Sequence, residues 1–432
     1  MKKLLIGAVM ALCTVFSSVS LSFADELLVP TMSYRVGPYA ANGTMIANGF
    51  TDYFMMLNER DGGIGGVKVK AEECETGYKA QVGVECYESY RGKNALVHTP
   101  NSTGITLQIL QKAPEDEVPI LTMGYGLSAA AKGETFPWAF NYPASYWSQM
   151  TSILSYIDSQ TGLKGKKIGF LYLDVGYGRE PIPVLEELGP KMGFETLYVP
   201  VAGKEMQNQS SHWLTIRKEK PDWVTFWGAG SGMNSTAMTN AARINFPRDR
   251  MMYVTFGAAE EDMYPAGDAA VGTYAVANAL PGEYPLVKDI KDKVYGAGKG
   301  NLADESRIGS VYWNRGLGAA VMWIEGLRNA QKMHNKVGKA VNGAEFRDGY
   351  EAINMTEARL NELGVGGMLA PFAISCANHE GAGKFAVMQW DGEKFNQVTG
   401  WEAPLDPAFI RGLVETSAAK FAKENNITPK KC

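Results

Sequence analysis

The chain has 432 residues and a formal net charge of −4 at pH 7. This mildly acidic balance argues against a nucleic-acid-binding role, because such proteins need a basic surface that faces the phosphates. The length exceeds what one hydrophobic core usually holds, and it predicts two domains.

The N-terminus has the pattern of a secretory signal. Lys2 and Lys3 precede the apolar run 4–19, and Ser22-Phe23-Ala24 supplies small residues at the right positions for cleavage. The apolar run is short for a membrane span, and no later run approaches the necessary length. We therefore expect residues 1–24 to be removed on export and the mature protein not to be embedded in a membrane.

The alternation of short β-rich runs with helical patterns begins directly after this segment. Strands are predicted at 26–32, 67–73, 95–99 and 119–123, and helices at 42–60 and 78–91. A second series has strands at 167–174, 195–201, 223–229 and 251–256, with helices at 153–160, 180–192, 235–244 and 312–329. Such alternation is typical of parallel sheets covered by helices on both faces. Two series predict two doubly wound α/β lobes.

The tail of the chain has a different pattern. The runs 385–390 and 394–398 flank Asp391-Gly392, which indicates a β-hairpin.

Four cysteines follow the signal segment: Cys74, Cys86, Cys376 and Cys432. An even number in an exported chain favours disulfides over free thiols. Of the three possible pairings, we expect Cys74–Cys86 as the most local pair, with Cys376–Cys432 by elimination. A metal site is not expected, because no Cys-x-x-Cys occurs and the four histidines are scattered.

Ligands of open α/β sheets bind beyond the carboxyl ends of the strands. This rule selects candidate binding residues in both lobes, and they include glycines, hydroxyls, aromatic rings and an arginine. The candidates are Arg35, Tyr39, Ser102, Thr103, Gly104, Gly124, Tyr125, Gly126, Tyr177, Trp227 and Phe256. The mixture suits a small ligand with a polar head between aromatic rings. Of the helix 312–329, only the first turn is expected to lie near the ligand.

Several of these segments occur in a recognisable order. They are Gly37-Pro38-Tyr39-Ala40, the stretch 58–64, Ser102-Thr103-Gly104, Tyr177-Gly178 and the stretch 267–272. Together they resemble motifs of the periplasmic binding proteins of branched-chain amino acid (leucine/isoleucine/valine-binding) type, the receptors of ABC importers. The resemblance covers essentially the whole chain after the signal segment.

The resemblance implies a type I periplasmic binding fold with a ligand cleft between discontinuous lobes. The first lobe is expected to comprise 25–144 plus 275–362, and the second 145–274 plus 363–432. In relatives the Ser-x-Gly loop holds a ligand carboxylate and the tyrosine of Tyr-Gly closes over it. These roles fall on Ser102, Thr103 and Tyr177, and we expect Arg35 to share the carboxylate.

Two departures from the family concern the amino group of an amino-acid ligand. Gly124-Tyr125-Gly126 has no hydroxyl at the position where relatives place a Thr or Ser, and Thr255 stands where relatives have an acidic residue, with Glu260 and Glu261 close by in the sequence. The ligand is therefore left open between a branched-chain amino acid and an aromatic or aliphatic organic acid.

The resemblance further implies a periplasmic, monomeric substrate-binding component of an ABC transporter, with permease subunits as partners and no cofactor. An enzyme is not favoured, because no Gly-x-Ser-x-Gly elbow and no phosphate-binding loop occurs. A ligand-sensing protein that docks on a separate membrane receptor remains the alternative.

Overall fold

The computed structural model describes residues 26–93, 95–230, 232–257 and 259–432. The predicted signal segment lies outside the described residues. In the described part of the chain, no helix is both long and apolar enough to cross a membrane.

The first strand–helix series forms two small parallel sheets of two strands each, with helices packed on them. It comprises Leu27–Ser33 (β1), Ala40–Arg60 (α1), Val69–Glu75 (β2), Ala80–Tyr90 (α2), Thr103–Ile109 (α3), Ala113–Asp116 (α4), Ile120–Leu121 (β3) and Ala139–Phe140 (β4). β1 pairs with β2, and β3 pairs with β4. The predicted strand 95–99 runs between β1 and β3 but pairs only through isolated bridges at His98 and Thr99. It does not form a regular strand, because Pro100 and Asn101, with its positive φ of 47°, turn the backbone away.

The second series forms a seven-stranded sheet in the order β13-β12-β9-β8-β7-β5-β6. It comprises Tyr146–Thr161 (α5), Lys167–Leu173 (β5), Gly176–Arg179 (α6), Ile182–Met192 (α7), Glu195–Val201 (β6), Ser210–Glu219 (α8), Trp223–Trp227 (β7), Met233–Arg243 (α9), Met251–Tyr253 (β8), Glu260–Met263 (α10) and Tyr274–Ala277 (β9). The strands from β9 to β6 are parallel. Except for its first residue, β5 is buried along its length, as expected of a strand covered on both faces.

The chain then returns to the first lobe before its tail completes the second sheet. The returning elements are Pro285–Ile290 (α11), Val311–Met333 (α12), Gly343–Glu351 (α13), Asn354–Met355 (β10), Glu357–Glu362 (α14) and Phe372–Ala373 (β11). The tail comprises Ala386–Trp390 (β12), Phe395–Gln397 (β13) and Pro407–Glu424 (α15). β12 is antiparallel to both β13 and β9, which confirms the predicted hairpin.

Two details of the domain organisation differ from expectation. The predicted lobe boundary between residues 274 and 275 falls inside β9, which pairs within the second sheet with β8 and β12. The helix α15 was not predicted, although its Asp406 cap and Pro407 in the first turn are recognisable start signals.

Disulfides join Cys74 to Cys86 and Cys376 to Cys432, the two predicted pairs. Their Cα–Cα distances of 5.9 and 5.6 Å lie in the usual range. The first links the end of β2 to α2, and the second ties the C-terminus to the loop that precedes β12.

Candidate ligand-binding cleft

A small cavity lies between the two lobes, beyond the carboxyl ends of their strands. Most of the residues that line it are tyrosines. The lining residues are Tyr34, Tyr39, Asn42, Tyr78, Tyr125, Tyr177, Ala229, Phe256 and Tyr312. The space they enclose is about 20 Å³, room for about one water molecule. A solute of several carbon atoms therefore needs the lobes to separate or the rings to turn.

Aromatic rings from the two lobes meet across the cavity. The ring centroids of Tyr125, from the first lobe, and Phe256, from the second, are 4.5 Å apart. Behind them, Tyr146 packs edge-on against Tyr177 at 5.3 Å and against Phe256 at 5.8 Å. The rings thus form a continuous apolar wall that can hold the hydrocarbon part of a ligand.

Direct polar contacts also cross between the lobes. The Tyr312 hydroxyl on α12 donates a hydrogen bond of 2.6 Å to the carbonyl oxygen of Phe256, and it accepts one of 3.0 Å from the Asn42 amide on α1. The Tyr39 hydroxyl lies 3.9 Å from the Met206 sulfur of the second lobe. These contacts hold the two lobes together in a closed arrangement.

The tyrosine hydroxyls of the wall are neutral donors and acceptors. The hydroxyls of Tyr34 and Tyr125 are 3.0 Å apart, and that of Tyr177 donates to the carbonyl oxygen of Gly228 at 2.8 Å. Burial raises the pKa of all three hydroxyls. They therefore stay protonated at neutral pH and bring no negative charge into the cleft.

The charged group next to this wall is Arg315, one turn into α12. Its side chain is buried, and its guanidinium stacks 3.8 Å from the centroid of the Phe256 ring and 5.4 Å from that of Tyr125. One nitrogen, Nη2, donates to the carbonyl oxygen of Met123 at 2.9 Å. Its Nε and Nη1 are buried without a partner among the described residues, and no carboxylate of that part of the chain pairs with it. A buried unpaired cation is costly, so this arrangement is suited to receive an anion.

The structure places Arg35 elsewhere. Its guanidinium donates two hydrogen bonds of 2.7 Å to the Glu73 carboxylate and a third, of 2.8 Å, to the Asn48 side chain. It does not line the cavity. The predicted role of Arg35 as a carboxylate anchor therefore has no support from its position, because β2 supplies a counter-charge beside it.

The predicted Ser102-Thr103-Gly104 loop lies behind the cavity wall. Ser102 caps α3 by accepting a hydrogen bond from the backbone of Ile105, and the Thr103 hydroxyl lies 2.7 Å from that of Tyr146. Their hydroxyls thus support the rings and do not border the cavity.

Of the remaining predicted residues, Tyr39, Tyr125, Tyr177 and Phe256 line the cavity, whereas Gly124, Gly126 and Trp227 do not. The two glycines have positive φ values of 81° and 133° and make the turn that presents Tyr125. Tyr34, Asn42 and Tyr78 line the cavity but are not among the predicted binding residues. Tyr312 also lines it and Arg315 lies against its wall, both near the start of the helix whose first turn is expected to lie near the ligand. Tyr34 directly follows β1 and Tyr78 lies three residues after β2, so the strand-end rule can reach both.

Comparison with known proteins assigns the chain to a family. The model of the periplasmic binding proteins matches residues 28–395. The chain belongs to this family. A structure described as an ABC transporter permease from the Pseudomonas fluorescens group is 37% identical, covers 95% of this chain and 100% of its own, and superposes with a TM-score of 0.88. No curated protein matches.

Two more distant structures show the same fold. A branched-chain amino acid ABC transporter protein from Thermus thermophilus with bound valine is 19% identical, with a TM-score of 0.74 and coverage of 90% of this chain and 98% of its own. A solute-binding protein from R. palustris in complex with benzoate is 18% identical, with a TM-score of 0.68 and coverage of 88% and 97%. The predicted fold class and family resemblance are confirmed.

Three acidic residues of α10, the helix that follows Phe256, each have a partner inside this periplasmic binding protein, whereas one oxygen of Glu261 and one of Asp262 are buried without a partner among the described residues. Glu260 accepts a hydrogen bond of 3.2 Å from the backbone of Val311 at the start of α12. Glu261 pairs with Arg307. None of the acidic residues in the described part of the chain lines the cavity.

Asp262, the third member of this acidic run, predicts a pH effect on stability. Burial raises its pKa from 3.8 to about 7, although its hydrogen bond from Asn234 opposes the shift. Between pH 4 and 7 the folded state holds a proton that the unfolded state has lost, so the free energy of unfolding falls as pH rises through this range. The substitution Asp262→Asn removes this pH dependence. We expect the free energy of unfolding of Asp262→Asn, relative to that of wild type, to be about 2 kcal/mol higher at pH 8 than at pH 5. Urea denaturation of both proteins at the two pH values measures this difference. A difference that does not change with pH would contradict the prediction.

Proposed function

We propose that this protein is the substrate-binding component of an ABC importer that captures a small carboxylate-bearing solute between its two lobes. The family assignment supports the solute-binding role, and the buried, unpaired guanidinium of Arg315 supports a carboxylate as the ligand's polar head. The pattern of residues 1–24 supports export to the periplasm, and we infer that the protein acts there as a monomer on permease subunits.

Arg315 is the observation that carries the choice of ligand. Its Nε and Nη1 are buried donors on different sides of a planar guanidinium, and neither has a partner among the described residues. A carboxylate oxygen can accept a charge-assisted hydrogen bond from either of them. The ring of Phe256 lies against the guanidinium face, so the ligand carboxylate would meet its edge while the hydrocarbon part contacts the tyrosine wall.

Opening and closing of the lobes is the expected mechanism of capture. The bonds from Tyr312 to Phe256 and the contact from Tyr39 to Met206 join the lobes directly, and a ligand that touches both lobes favours the closed form. We expect the radius of gyration from small-angle X-ray scattering to fall when 3-methylbutanoate or benzoate is added at saturation. At about 100 times its dissociation constant, a ligand adds about 2.7 kcal/mol of native stability, so thermal shifts will identify the binder beforehand. An unchanged radius with a ligand that calorimetry shows to be bound would contradict closure.

A further inference from the structure

We propose that the natural ligand is a monocarboxylate without an ammonium group, and that the cleft excludes α-amino acids. This inference rests on the proposed function and specifies the ligand class of the same cleft. It follows from the charges that surround the cavity and from the hydrogen-bond acceptors that the protein already uses.

An ammonium group in this cleft would lack a counter-charge. Among the described residues, no acidic side chain lines the cavity. Glu260 accepts a hydrogen bond from the backbone of Val311. Glu261 pairs with the Arg307 side chain, and Asp262 accepts a hydrogen bond from the Asn234 side chain. Burying an ammonium group away from water without an anion is strongly unfavourable.

The charge behind the cavity wall is positive, because Arg315 lies against the rings of Phe256 and Tyr125 without lining the cavity itself. Arg315 acts to lower the pKa of the Tyr125 hydroxyl against the larger effect of burial, and it acts in the same direction on Tyr34, Tyr146 and Tyr177. The hydroxyls of Tyr34, Tyr125 and Tyr177 in the cavity wall, and that of Tyr146 behind it, therefore lie in the field of this guanidinium. The same field attracts a carboxylate and repels an ammonium group.

Three backbone oxygens near the cavity already accept hydrogen bonds from side chains of the protein. The carbonyl of Phe256 accepts from Tyr312, that of Gly228 from Tyr177, and that of Met123 from Arg315. Aromatic faces can also bind cations, but the face of Phe256 is covered by the Arg315 guanidinium. The cleft therefore provides one strong polar anchor, for an anion, and an aromatic wall for the rest of the ligand.

The test uses pairs of ligands that differ only in the ammonium group. Thermal-shift and calorimetric titrations of the wild-type protein compare 3-methylbutanoate with L-valine, and 3-phenylpropionate with L-phenylalanine. The same titrations cover a panel of other monocarboxylates, amino acids and glycine betaine. We expect the binders to be acids without an ammonium group, and the matched amino acid to bind at least about 100-fold more weakly. An amino acid or betaine that binds as tightly as its matched acid overturns this inference but not the proposed function. If no carboxylate of any kind binds, the proposed function fails as well.

A variant tests the electrostatic reason directly. Ala229 lines the cavity, so Ala229→Asp places a carboxylate in the wall, and Ala229→Asn is its uncharged control. We expect the preference for the acid over the matched amino acid to fall by about tenfold or more in Ala229→Asp relative to Ala229→Asn. An unchanged preference would show that a missing counter-charge is not what excludes the ammonium group, and it would overturn the argument.

Discussion

Replacing Arg315 by methionine is expected to abolish carboxylate binding while making the ligand-free protein more stable. The guanidinium is buried with two donors that have no partner among the described residues, and methionine fills a similar volume without a charge. The substitution removes the cost of an unpaired buried cation, although it also leaves the carbonyl of Met123 without its donor. We expect a net gain of about 1 kcal/mol or more in the free energy of unfolding.

The loss of binding should be large. Removing one partner of a desolvated charged pair costs about 2–5 kcal/mol, which corresponds to at least a thirtyfold increase in Kd. Calorimetry with 3-methylbutanoate and 3-phenylpropionate measures the effect, and Arg315→Lys should be intermediate because lysine lacks the planar fork.

Arg35→Met is the matched control, because Arg35 is bound to Glu73 outside the cavity. We expect its Kd to stay within about twofold of wild type, since exposed ion pairs contribute little and the ligand does not touch it. If Arg315→Met binds normally and Arg35→Met does not, the anchor predicted from the sequence is the correct one.

The second large effect is expected where α1 crosses α12. A methyl group on Gly49 would overlap the carbonyl oxygen of Trp313, and one on Gly316 would overlap that of Ile46. Both obstacles are backbone atoms, which cannot rotate away as a side chain would. We expect Gly316→Ala to lower the free energy of unfolding by about 3 kcal/mol.

Gly412→Ala provides the control for this substitution. Gly412 also lies in a helix, α15, but it is exposed and a methyl group there meets nothing within 4 Å. Alanine should stabilise that helix by about 0.5–1 kcal/mol. Guanidinium denaturation of both variants measures the difference, and equal effects would show that the helix crossing relaxes without cost. Gly316→Ala should also weaken carboxylate binding, because α12 carries both Arg315 and Tyr312.

The amino-acid sequence determined the layered architecture of this protein. The strand β6 was predicted with its observed bounds, Glu195–Val201, and β5 within one residue. β5 lies inside the parallel sheet and is buried on both faces, so it appears as an apolar run that needs no knowledge of its neighbours. β6 lies at the edge of the sheet and is only partly buried, and its β-branched and aromatic residues mark it as a strand. The same local pattern marks the strand ends, and it correctly selected Tyr39, Tyr125, Tyr177 and Phe256 as residues of the cavity.

Only the tertiary structure decided which arginine is paired and which is left without a counter-charge. Arg35 follows a strand directly and was the natural candidate, but β1 lies beside β2, so Glu73 neutralises it. Arg315 lies in a helix far along the chain, and α12 carries it to the wall formed by Tyr125 and Phe256. Whether a charged side chain is paired depends on which distant segments pack beside it, and local sequence patterns do not contain that information.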